Sequence, residues 1–178
     1  MAALAVVLVV GGCARQPAGS PVPQAQPGDV APNFRLQAAV GKDRSLTGRR
    51  GHVVLLSFLD ASVEAAGHGS DSSRRQLVFL KSMADQHRRD GLCVLAVDAG
   101  GAPPGALVNY VYDHGLPFPL LRDRPDDPVA TSYGVTSLPT TVLVDRHGRL
   151  VRRWEGFVPP ATLADAVEGL LGDPTGAC

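Results

Sequence analysis

The side chains best suited to covalent chemistry in this sequence are three cysteines, Cys13, Cys93 and Cys178. A cysteine works as its thiolate, and a dithiol that cycles needs a second cysteine to resolve the mixed disulfide. Cys93 lies in an apolar run, where a cysteine usually behaves as a small inert hydrophobe. A disulfide between Cys93 and Cys178 and an intermolecular bond through Cys178 both remain open.

Cys13 ends a segment that has the features of a leader. Residues 2–10 are uninterruptedly apolar, a length typical of a signal-peptide core and too short to span a bilayer. Gly11 and Gly12 then precede the cysteine, an arrangement that resembles a bacterial lipobox. We therefore expect residues 1–12 to be removed and Cys13 to carry a lipid on the extracytoplasmic face of the cell membrane. An ordinary secretory signal with an incidental cysteine is the alternative.

A serine activated by a neighbouring histidine is a second candidate nucleophile, with weaker support from the sequence. A serine hydroxyl needs an adjacent base, and His68 is the one imidazole near Ser70 and Ser73 in the sequence. Serine is also a favoured residue at the start of a helix, so we interpret Ser70 and Ser73 as helix caps. The five histidines are scattered without the spacing of a metal site, and we expect neither a metal nor another cofactor.

Charge and composition limit the class of protein. The chain has 178 residues, with 17 basic and 17 acidic side chains, and its hydrophobic fraction is 44%. Balanced charge gives no field that would attract a phosphate backbone, so nucleic acid is excluded as a general partner. The length and hydrophobic content predict one ordinary globular domain with a short appendage.

Apolar periodicity predicts strands alternating with helices. We predict a flexible linker at residues 13–28, the folded domain at 29–172 and a tail at 173–178. Within the domain, strands are predicted at 53–59, 92–97, 118–121, 140–144 and 150–154, and helices at 70–90, 103–115, 128–133 and 159–170. This order predicts an α/β layered domain with a mixed sheet.

Four motifs occur in order along this domain. They are GDVAPNFRL at 28–36, GHVVLLSF at 51–58, YGVTSLPTT at 133–141 and VLVDRHGRL at 142–150. Together they resemble the thioredoxin-like redoxins of the TlpA/ResA type, which are membrane-tethered thiol:disulfide oxidoreductases. The resemblance implies a thioredoxin-like fold with a central mixed β-sheet, flanking helices and an N-terminal extension. It also implies that Leu138, a cis-proline at Pro139, and Thr140 bind an extended peptide through main-chain hydrogen bonds.

The same resemblance shows what the chain lacks. The family carries C-x-x-C-[RK]-x-E where the first helix begins, and there the helix dipole lowers a thiolate pKa. In register, that motif falls on residues 70–76, with Ser70 and Ser73 at the cysteine positions and Gln76 at the acidic position. Compared with the family, residues 61–69 are predicted to be an insertion before this motif. Since a serine hydroxyl cannot cycle through a disulfide, dithiol exchange at this place is excluded.

These observations predict a membrane-tethered, extracytoplasmic binding or scaffold module without dithiol activity. Its surface would be formed by the loops 57–73 and 136–141, and its partner would be an extracytoplasmic protein or peptide. The alternative is a thiol:disulfide oxidoreductase or peroxidase-type redoxin that uses Cys93, Cys178 or a thiol of its partner.

Overall fold

The computed structural model describes residues 24–61 and 71–171. The predicted leader, most of the linker and the tail lie outside these ranges, as do Cys13, Ser70 and Cys178. The described elements, in chain order, are β1 (Arg35–Leu36), β2 (Arg44–Ser45), β3 (Val53–Leu59), α1 (Asp71–His87), β4 (Leu92–Asp98), α2 (Pro104–His114), β5 (Leu120–Arg122), α3 (Val129–Ser132), β6 (Thr140–Val144), β7 (Leu150–Glu155) and α4 (Pro160–Glu168).

A five-stranded mixed sheet in the order β5-β4-β3-β6-β7 forms the centre of the domain. Strands β3, β4 and β5 run parallel, whereas β6 is antiparallel to both β3 and β7. Helices α1, α2 and α4 cover one face. The N-terminal segment and α3 cover the other face. Because both faces are covered, β3 and β4 are buried along their whole length and read as continuous apolar runs.

Helix α1 lies over the first face because its apolar residues share one stripe. Leu77, Leu80 and Met83 are buried against the sheet. The predicted helix at 70–90 ends earlier as an α-helix, at His87, and continues as one 3-10 turn to Gly91. Gly91 has a φ of 89°, a left-handed conformation that ends helices and favours glycine.

Two strand assignments differ from the sequence-based prediction. The hairpin of β1 and β2 was not predicted, since strands of two residues carry no detectable alternation. The predicted strand at 118–121 is instead Leu120–Arg122. No helix in the described ranges combines the length and the apolar character needed to cross a membrane.

Candidate functional site

The two predicted site segments meet at one end of the sheet. Residue Phe58 near the end of β3 pairs with Thr140 at the start of β6, and Leu59 pairs with Asp98 at the end of β4. Helix α1 begins after the connection that follows β3. We call this end, formed by the carboxyl termini of β3 and β4 with the starts of α1 and β6, the site end. The opposite end of β3 and β4 is the far end.

Ser73 lies in the first turn of α1 and is only 2% exposed. Its Oγ accepts a hydrogen bond from the Asp60 N–H at 3.5 Å, which links the helix to the end of β3. Ser70, the other serine at a predicted cysteine position, lies outside the described residues. The structure therefore places one hydroxyl of the pair inside the protein, in a hydrogen bond to the main chain.

Gln76 lies one turn further along α1 and is fully buried. Its Oε1 accepts a hydrogen bond from the Val158 N–H at 2.8 Å. Its Nε2 is buried and has no acceptor among the described residues. A neutral amide at this position cannot donate or accept a catalytic proton as a carboxyl group would.

The loop before β6 contains a cis peptide bond between Leu138 and Pro139. The Pro139 carbonyl accepts a hydrogen bond from the Gly156 N–H at 2.7 Å. The Thr140 hydroxyl donates to the Ser137 carbonyl, also at 2.7 Å. In the described part of the chain, the main-chain N–H and C=O of Leu138 have no hydrogen-bond partner. Leu138 is thus a position of this loop, directly before the cis-proline, that can offer both main-chain groups to an extended peptide.

One short segment after β7 joins the two halves of the site. Gly156 binds the carbonyl of Pro139, and Val158 binds the side chain of Gln76. Between them, the Phe157 ring lies 4.4 Å from the Arg75 guanidinium carbon, a cation–π contact with α1. Residues 156–158 thus tie the cis-proline loop to the first turns of α1.

Asp98 is a polar residue of the site end that the sequence reasoning missed. It is 1% exposed, and its two carboxylate oxygens accept hydrogen bonds from the N–H groups of Ala61 and Ala102, each at 2.9 Å. It thereby fixes the chain on leaving both β3 and β4. An acidic residue that closes an apolar strand was the available signal, because a buried carboxylate must find donors.

Cys93 lies at the far end. It pairs with Val54 near the start of β3 and is fully buried on the second face of the sheet. At about 3.3 Å per residue, the five residues to Asp98 put it roughly 16 Å from the site end. Cys93 is buried, as predicted, and its sulfur is disulfide-bonded, which was one of the alternatives that the sequence left open. The cysteines that could be its partner, Cys13 and Cys178, lie outside the described residues.

The structure also bears on metal binding. No group of three or more histidine, cysteine, aspartate or glutamate side chains suited to a metal ion occurs in the ranges 24–61 and 71–171.

Comparison with known proteins identifies relatives of this chain and of its fold. A model of the AhpC/TSA family matches residues 27–153. The thiol-disulfide oxidoreductase ResA of Geobacillus thermodenitrificans is 29% identical over 143 residues, covering 80% of this chain and 77% of that protein. The ResA of Bacillus subtilis is 27% identical over 138 residues, covering 78% and 72%.

Among solved structures, a DsbE-like thiol:disulfide interchange protein from Chlorobium tepidum superposes with a TM-score of 0.74 at 24% identity, covering 84% of this chain and all of that one. The predicted fold class is therefore confirmed. From its sequence match and its fold, the chain belongs to the AhpC/TSA family and has the thioredoxin-like α/β architecture.

Proposed function

We propose that this chain is a redox-inactive member of its family that binds an extended segment of an extracytoplasmic protein at the loop containing Leu138, Pro139 and Thr140. Lipid on Cys13 would hold it at the membrane. The single observation that carries the proposal is an intact cis-proline loop beside a helix start that has no cysteine.

The absence of dithiol chemistry rests on the identity of the reacting atom. No cysteine occurs between Cys13 and Cys93, so no thiol can arise from the first helix or the connection before it. Ser73 presents an oxygen that stays protonated near neutral pH. Its burial and its hydrogen bond from Asp60 suit a structural role.

Peptide binding at this loop is supported by its unpaired main-chain groups. An extended segment can add main-chain hydrogen bonds to a free N–H and C=O, and Leu138 offers both. Ser137 and Thr136 on the same loop are exposed, which leaves room for a segment to approach. Because the hydrogen bonds at Pro139 and Thr140 hold the loop, little ordering entropy would be lost on binding.

An insulin-reduction assay tests the redox half of this proposal. The purified protein, with dithiothreitol as electron donor, should reduce insulin no faster than a heat-treated sample. Clear turnover above that control would overturn the assignment as redox-inactive.

Site-specific photocrosslinking in the native envelope tests the binding half. A photoreactive amino acid at Leu138 should give a discrete adduct with a protein identifiable by mass spectrometry. The same group at Val151, which is 37% exposed on β7, serves as the control. Equal adducts from both positions, or none from Leu138, would reject docking at the loop.

The tether is tested separately. Mass spectrometry of the membrane fraction should find a diacylglyceryl group on Cys13, and a Cys13→Ser variant should leave that fraction. A free thiol at Cys13 in membrane-bound protein would reject lipid attachment while leaving the peptide site intact.

A second candidate function is supported by the relatives, which are named as thiol-disulfide oxidoreductases. In that case Cys93, Cys178 or a partner's thiol would carry the exchange. Activity that disappears in Cys93→Ser or Cys178→Ser would favour this candidate. The fully buried position of Cys93, away from the site end, argues against it.

A further inference from the structure

A cavity lined by arginines lies beside the far-end half of β4. Its volume is about 190 Å³, and its walls include Arg44, Arg49 and Arg88. It forms because β5 pairs only with Ala96–Asp98 of β4, so the part of β4 before Ala96 has no neighbouring strand on that edge among residues 24–61 and 71–171. The segment around β2, the end of α1 and the chain before β5 close the space. We call it the arginine pocket.

The charge of the arginine pocket is not balanced by its own lining. No aspartate or glutamate is among its lining residues. The nearby carboxylates Asp43 and Asp90 are engaged elsewhere, in contacts with Arg35 at 3.4 Å and with His87 at 3.3 Å. Three arginines therefore line one cavity that has no acidic residue in its lining within the described part of the chain.

The hydrogen-bond pattern agrees with this imbalance. Arg44 donates through Nη1 to the carbonyls of Lys42 and Asp43, and Arg49 donates through Nη1 to the carbonyl of Gly48. The Nε atoms of Arg44 and Arg49 are buried and have no acceptor within the described ranges. Burial, followed by the positive charge of Arg44, lowers the pKa of Arg49. Most donors of the two guanidiniums are thus left to water or to a ligand.

We propose that the arginine pocket binds a phosphoryl group, either inorganic phosphate or the phosphate of an ester. Guanidinium donors match phosphate oxygens in pairs, and a doubly charged anion balances three cations better than a monovalent one does. An apolar groove of about 260 Å³ adjoins the pocket and shares Arg44 with it. Val40, Val111 and Leu116 line this groove, which suits the organic part of an ester. The site is independent of the function proposed for the cis-proline loop.

Calorimetric titration of the full chain with inorganic phosphate tests the proposal. Saturable binding of one equivalent is expected at constant ionic strength. Arg49→Gln should weaken the affinity about tenfold or more, the value of one charge-assisted hydrogen bond. Arg88→Gln should weaken it as well, and this residue is exposed enough for its replacement to leave the core intact. Arg152→Gln is the matched control, because it removes the same charge from the exposed strand β7.

Each result of this titration either supports or rejects phosphate binding in the arginine pocket. No saturable phosphate binding, or equal losses in Arg88→Gln and Arg152→Gln, would overturn the site. Sedimentation with phosphatidylcholine vesicles, with and without phosphatidylglycerol, then identifies the source of the phosphate. Binding to anionic vesicles that Arg49→Gln abolishes indicates a lipid headgroup, whereas binding of free phosphate alone indicates a soluble ligand.

Discussion

The two ends of the central sheet differ in which kinds of polar group lack a partner within the described chain. At the site end, Asp98, Ser73 and Thr140 are buried, and each has a hydrogen-bond partner within the protein. At the far end, Arg44 and Arg49 surround a cavity and keep buried donors without acceptors in the described chain. Among the described residues, the site end thus leaves unpaired the main-chain groups of Leu138 and the amide nitrogen of Gln76, whereas the far end leaves unpaired the donors of cationic side chains. Unmet polar groups, rather than family position alone, indicate where this chain can still bind a ligand.

The largest expected effect concerns the disulfide of Cys93. If Cys13 carries the lipid, Cys178 is the remaining candidate partner within the chain. This bond closes a long loop, and opening it costs on the order of 4 kcal/mol of unfolding free energy. Urea unfolding with and without a phosphine reductant should show this loss. Cys178→Ala should reproduce it if Cys178 is the partner. An unchanged midpoint under reduction would contradict a stabilising bond at the far end.

Asp98→Ala should have the next largest effect, at the site end. The substitution leaves the buried N–H groups of Ala61 and Ala102 without their acceptors, a loss of about 3 kcal/mol. Asp98→Asn is the control, since its amide keeps one acceptor oxygen and should lose less. Equal stability of Asp98→Ala and the wild type in urea unfolding would mean that these hydrogen bonds contribute nothing.

Gln76→Glu should destabilise the protein in a pH-dependent way. Burial raises the pKa of the introduced carboxyl above its unfolded value of about 4.3, so the folded state holds the proton longer. Stability should therefore match the wild type most closely below that pH, and fall as pH rises towards the folded pKa. We expect a loss of about 2 kcal/mol at neutral pH.

Gln76→Leu is the matched control for that experiment. It removes the acceptor of the Val158 N–H but adds no titratable group, so its loss of stability should not vary with pH. Parallel pH profiles for Gln76→Glu and Gln76→Leu would contradict a buried carboxyl at this position.

Tyr133→Phe should have the smallest effect, about 1 kcal/mol. The Tyr133 hydroxyl donates to the Pro32 carbonyl at 2.7 Å, and the substitution removes this one hydrogen bond. Burial raises the pKa of Tyr133, so the folded state keeps its proton when the unfolded chain ionises. Wild-type stability should thus fall above about pH 10, and less so in Tyr133→Phe. An identical alkaline loss in both proteins would point to other groups.

Much of the fold could be predicted from local pattern. The continuous apolar runs predicted β3 and β4, and the four motifs predicted the thioredoxin-like architecture. The hairpin of β1 and β2 could not be predicted, because it is held by pairing and packing rather than by its own alternation. For the site, Ser73, Gln76 and Pro139 were singled out from the sequence. The acidic end of β4 could have pointed to Asp98, but its bond to the Ala61 N–H after β3 depends on a contact between distant segments.

The sequence by itself determined which atoms are present for chemistry: no cysteine precedes Cys93 in the folded domain, and no fold can supply one. Only the tertiary structure decided which polar groups have partners. Asp98 meets two N–H groups from separate loops, while Arg44, Arg49 and Arg88 come from distant segments to share one cavity. The physical reason is that the residue type determines which hydrogen bonds a side chain can form. Whether those bonds form depends on the partners that folding brings within reach.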